Sequence, residues 1–111
     1  MENAYSSALL EVEASRALLR LRQVGTYDDE GVATAFERLR ETLEGIDLAP
    51  LSEEVLRRAA GPLPVALRTL DALHLATAQV WAGELREPLA FLTHDQDLER
   101  AARALGFRTA L

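Results

Sequence analysis

The chain has 111 residues, enough to bury one core but not two, so a single domain over 1–111 is expected. Its 49% hydrophobic content excludes a disordered chain, and its 21 Leu and 19 Ala, against only 5% aromatics, favour helices over an all-β sandwich or barrel. Net charge is −6 with 12 Arg and no Lys, which excludes a P-loop or Schiff-base lysine and argues against DNA binding by this chain itself.

Ser6 and Ser7 offer caps for a first helix running to about Gly25. Leu10, Ala14, Ala17, Leu18, Leu21 and Val24 are spaced as one apolar face of that helix. Asp28 and Asp29 open a second helix, Val32, Phe36, Leu39 and Leu43 give it a face, and Gly45 closes it. Ile46 to Leu51 reads as a short strand. Ser52 then caps a brief helix over Glu53 to Ala60, ended by Gly61-Pro62.

Leu63 to Arg68 is irregular, with prolines at 62 and 64. Thr69 is the expected cap of a helix from Leu70 to about Ala82, apolar nearly all round and therefore central. Gly83 and Pro88 bracket a turn, and Leu89 to Thr93 is an apolar strand. After the polar loop His94-Asp95-Gln96-Asp97, a last helix spans Leu98 to Leu105 and a last strand Phe107 to Leu111. Helices alternating with short apolar strands give an α/β class with a parallel sheet.

No segment spans a bilayer: the longest uncharged run, Ala72 to Gly83, is 12 residues and contains His74. Met1-Glu2-Asn3 lacks the basic start of a signal peptide, and there is no cysteine, so a cytoplasmic domain without a thiolate site is expected.

Three acids occupy unusual positions. Glu13 borders the apolar stripe of the first helix, Asp71 opens the most apolar helix, and Asp95 follows the Leu89 to Thr93 strand. Carboxylates converging from distant positions repel unless a divalent cation binds them, and oxygen donors alone suit Mg²⁺ or Mn²⁺. Each acid also has a plainer account. Asp71 complements a helix dipole, Asp95 and Asp97 suit a turn or cap, and Glu13 suits a solvated helix. His74, three residues after Asp71, and His94 fit hydrogen-bonded packing as well as catalysis.

Ser7-Ala8-Leu9-Leu10-Glu11-Val12-Glu13-Ala14, Leu67-Arg68-Thr69-Leu70-Asp71-Ala72-Leu73-His74-Leu75-Ala76-Thr77-Ala78 and Leu92-Thr93-His94-Asp95-Gln96-Asp97-Leu98, with Ala101 to Gly106, resemble PIN-domain ribonucleases. More narrowly, they resemble VapC-type toxins of toxin–antitoxin pairs, from about Tyr5 to the end. The resemblance implies a parallel sheet flanked by helices, and an acidic cluster that binds Mg²⁺ or Mn²⁺ for RNA cleavage by metal-assisted hydrolysis. It implies Glu13, Asp71 and Asp95 as catalytic and metal-binding residues, with Asp97 a further metal ligand. A cognate antitoxin and an RNA substrate are the implied partners.

The family pattern opens with a strand ending in Asp, a few dozen residues before the Glu. Only 12 residues precede Glu13, so the expected fold is incomplete at its N-terminus and lacks that aspartate. Setting Tyr5-Ser6-Ser7-Ala8-Leu9 on the opening motif puts Tyr5 where Asp belongs and leaves Glu11-Val12-Glu13 without a counterpart. Little or no Mg²⁺-dependent cleavage is the resulting expectation, and a non-catalytic antitoxin-binding module is the alternative. A sheet short of a strand, and an apolar helix around Trp81, lead one to expect a homodimer.

Overall fold

A computed structural model describes residues 4–86 and 88–109. The chain forms two compact units, Met1–Ala49 and Pro50–Leu111.

The first unit is a parallel strand pair joined through two helices. Strand β1 (Ala4–Ser7) runs beside β2 (Ile46–Ala49), with Ala4 opposite Ile46 and Ser7 opposite Ala49. Between them lie α1 (Leu9–Gln23) and α2 (Asp29–Glu44). Ser6 and Ser7 are therefore strand residues rather than helix caps, because pairing with β2, some forty residues away, holds them extended. Ser7 is buried and keeps part of the expected role: its hydroxyl accepts the Leu9 N–H at 3.0 Å. The Ala8 N–H donates to the Ala49 carbonyl at 2.8 Å and carries the ladder one step past the strand. Among the described residues, then, a strand does precede the first helix, and it carries Tyr5, Ser6 and Ser7 but no aspartate.

Gly25, at φ +83°, turns the chain out of α1, and the Asp28 carboxylate accepts the Gly31 N–H at 2.7 Å to start α2. An exposed ion pair, Arg22 to Asp29 at 2.6 Å, spans this turn and adds less than about 1 kcal/mol. The apolar stripe of α1 is only partly sheltered. Leu10, Ala14, Leu18 and Leu21 are half-buried, whereas Val24 is 71% exposed. Within this unit α1 packs on α2 and β1, which cover one side of the helix.

The second unit is built on one helix. Helix α4 (Thr69–Leu85) holds five buried residues, Ala72, Leu75, Ala76, Thr77 and Val80. One side joins Leu75 to Leu98, Ala101 and Ala102 of α5 (Gln96–Ala104). The other joins Ala76 and Val80 to Val55 of α3 (Glu53–Ala60). Serving two clusters explains why α4 is apolar nearly all round, as its sequence suggested. Trp81, partly buried, packs onto the Val55 cluster, as a residue of the most apolar helix would. Two short strands, β3 (Ala90–Phe91) and β4 (Arg108–Thr109), pair in parallel, and the Phe91 and Phe107 rings lie 5.9 Å apart.

The limits of α4 differ from the sequence reading. Its cap residue is Arg68, extended at φ −70° and ψ 162°, and Thr69 is the first helical residue. At its other end the helix continues through Gly83 to Leu85, and Arg86 takes the left-handed turn at φ 55°. Packing of Val80 and Trp81 carries the helix past the glycine, whose cost is only about 1 kcal/mol. Strand β3 is shorter than Leu89 to Thr93 because its partner β4 supplies two paired residues. The last two residues of the expected Phe107 to Leu111 strand lie outside the described residues. The α/β class with parallel strands is the observed one.

Candidate functional site

In the second unit, Asp71 is the third residue of α4, in the turn where a carboxylate complements the free N–H groups of a helix start. It is half-buried, next to the buried Ala72. His74 follows one turn later and is also half-buried.

Asp95 is the cap of α5. Its Oδ1 accepts the Leu98 N–H at 2.9 Å, and its own N–H donates to Thr93 Oγ1 at 3.1 Å. The capping role foreseen as the plainer account is thus present. One carboxylate oxygen is engaged by the helix, and the exposed residue has a second oxygen to offer. Asp95 stands four residues beyond the end of β3 rather than directly on it. Asp97 lies in the first turn of α5, its carboxylate ion-paired with the Arg100 guanidinium. His94 is exposed in the loop between.

In the first unit, Glu13 is the fifth residue of α1 and is half-buried. The same unit has a feature that the spacing of apolar residues did not reveal. A groove lies along α1 and α2, lined by Glu11, Ser15, Glu30, Phe36, Glu37 and Leu43 among others. Its apolar lining residues, Ala33, Phe36, Leu39 and Leu43, come from α2, and its charged lining residues are Glu11, Glu30, Glu37 and Arg40. Only the packing of the two helices brings Glu11 to Glu30 and Glu37.

Within neither unit, among the described residues, do three or more His, Asp or Glu side chains form a group that could hold a metal ion. The donors themselves suit a hard cation. They are carboxylate oxygens, the chain has no cysteine, and Asp71 and Asp95 make no salt bridge to an arginine among the described residues, unlike Asp97.

The PIN domain family model matches residues 1–104. Ribonuclease VapC47 of Mycobacterium tuberculosis is 40% identical over 109 residues, which are 98% of this chain and 71% of that protein. Ribonuclease VapC46 of the same organism is 41% identical over 101 residues, 91% of this chain and 68% of that protein. Ribonuclease VapC35, also from Mycobacterium tuberculosis, is 38% identical over 101 residues, 90% of this chain and 66% of that protein. With a match over nearly its whole length and relatives at this identity, the chain belongs to the PIN-domain family, among its VapC-type toxins.

Proposed function

We propose that this chain serves as a metal-dependent endoribonuclease of the VapC type, neutralised by a cognate antitoxin in the cytoplasm. The observation that carries this reading is the similarity to ribonucleases VapC47 and VapC46 across at least 91% of the chain. Mg²⁺ or Mn²⁺ is the cofactor, held by Glu13, Asp71 and Asp95, which also carry the catalysis. When bound, such an ion activates a water and stabilises charge on the scissile phosphate. The chain's own residues then have distinct tasks. Asp71 is held in place by the first turn of α4, and Asp95 keeps one oxygen on the Leu98 N–H so that its plane is fixed before an ion arrives. Asp97 is an outer contributor, since a cation competes there with Arg100.

The donor set is small, so cleavage by these 111 residues alone is weak. The Asp97–Arg100 pair favours a second reading for the same reason: a chain that holds an antitoxin segment and cleaves little or nothing. The α1–α2 groove supports the antitoxin in either case, because an apolar lining with three acids against one arginine fits a basic amphipathic segment. Self-association as a homodimer is supported by exposed apolar side chains, Leu56, Leu70 and Leu92 among them. In the described residues no helix is long and apolar enough to cross a membrane.

The test is cleavage of single-stranded RNA with Mn²⁺ or Mg²⁺ by the chain and by Asp71→Asn, which keeps size and removes charge. Metal-dependent cleavage that falls at least about a hundredfold in Asp71→Asn supports the enzyme reading. Cleavage unchanged in Asp71→Asn refutes the site assignment, and antitoxin binding with no cleavage favours the second reading.

A further inference from the structure

The start of α4 breaks a local rule. Caps are ordinarily Ser, Thr, Asp or Asn, whose oxygen accepts a free N–H of the first turn. A threonine is available at position 69, yet the helix begins one residue earlier, on Arg68, and its side chain makes no cap hydrogen bond among the described residues. A cation at this end also opposes the helix dipole, which favours negative charge there. Two unfavourable local choices at one residue are what a functional position shows.

The chain leading into the helix fixes where Arg68 stands. Leu63, Val65 and Leu67 pack on the cluster of Leu75, Leu98, Ala101 and Ala102, while Pro64, Ala66 and Arg68 between them are exposed. These contacts anchor an irregular segment, bent at Pro64 and Val65, whose last exposed residue before the helix is Arg68. Four other arginines of the second unit are occupied: Arg57 with Glu53, Arg58 with Glu54, Arg100 with Asp97, and Arg103 with Glu99. Arg86 and Arg108 have no ion pair among the described residues; of the three without one, Arg68 is the one within a helical turn of Asp71 in the chain. Arg68 has no ion pair among the described residues, although Asp71 is only one turn away. Its guanidinium is thus exposed, uncommitted and one helical turn from a proposed catalytic carboxylate.

We propose that Arg68 is a substrate-binding residue that grips an RNA backbone phosphate next to the Asp71 site. The proposal rests on the ribonuclease reading above. A guanidinium suits the task because it donates two parallel hydrogen bonds to phosphate oxygens and stays charged at every working pH. The favourable helix cap is given up at this position for a contact made only when the polyanion is present.

The experiment measures binding of a single-stranded RNA oligonucleotide to the 111-residue chain by fluorescence anisotropy, without divalent metal, over a series of KCl concentrations. Arg68→Ser removes the cation and installs a good cap, and Arg68→Gln removes the charge while keeping length. Both variants are expected to bind RNA about tenfold more weakly at low salt. Their slope of log K against log[KCl] should be shallower by about 0.7, the value for one phosphate contact on a single strand. Arg68→Lys should restore the slope. Arg68→Ser should also melt higher than the parent chain, which separates lost binding from lost folding. Unchanged affinity and slope in both variants overturns the proposal, as does weaker binding with an unchanged slope. Asp71→Asn, assayed alongside for cleavage, reports on the ribonuclease reading separately, because RNA binding without metal does not depend on that carboxylate.

Discussion

The C-terminal end of α4 places a glycine inside the helix and an arginine at the left-handed residue that ends it, the reverse of the usual order. Exchanging the two preferences gives a sharp test. At Gly83 an added Cβ meets no atom within 4 Å, and the residue is exposed, so Gly83→Ala gains the full helix-propensity difference of about 0.8 to 1 kcal/mol. At Arg86 a left-handed conformation costs a non-glycine residue about 1 to 2 kcal/mol. Arg86→Gly recovers that strain and forfeits about 0.5 kcal/mol of attraction between the cation and the helix C-terminus. The double variant should therefore be more stable by about 1.5 to 2 kcal/mol, allowing for coupling between residues one turn apart. At about 4 °C per kcal/mol for a chain of this size, its melting temperature should rise by about 6 to 8 °C, read by circular dichroism with a urea titration as a check. If the helix instead stopped at Gly83, alanine there would lower stability and glycine at 86 would have no effect. That pair of results would refute the boundary and the strain argument together.

Other outcomes follow from single side chains. Leu75→Ala opens a cavity at the most buried leucine and should cost about 3 to 5 kcal/mol, measured by denaturant unfolding with an unchanged slope. Asp95→Ala loses the α5 cap and about 1 kcal/mol, whereas Asp95→Asn keeps the cap; both should lose metal-dependent RNA cleavage, so melting curves separate the two roles of one carboxylate.

Local chemistry made most of the helices legible. Ser52 and Asp28 cap α3 and α2 where their spacing placed them, and Gly45 closes α2. The failures share a cause: the deciding partner was remote in sequence. Ser6 and Ser7 look like caps until β2 pairs with them, and Gly83 looks like a stop until the Val55 cluster holds Val80 and Trp81. The candidate site was legible only through its motifs. Periodicity placed Glu13 at the border of a stripe and Asp71 at a helix start, but nothing local to the chain relates α1 to α4. The pairing of Asp97 with Arg100 follows from a three-residue spacing on a helix and was open to reading, yet it is the feature that ranks Asp97 below the other acids.

Helix α4 has consecutive residues committed to opposite neighbours: Leu75 to the α5 cluster and Ala76 to the α3 cluster, both with no exposure at all. No small rotation of the helix improves one contact set without loosening the other. Opening on the α3 side is therefore felt on the α5 side, and the two flanks come apart as one cooperative block. The amide protons of the middle turns of α4 should then be the slowest in the unit to exchange with solvent. The helix that carries Asp71 at one end is in this sense an axle, and the turn that presents the carboxylate inherits its stiffness from packing about one turn further along.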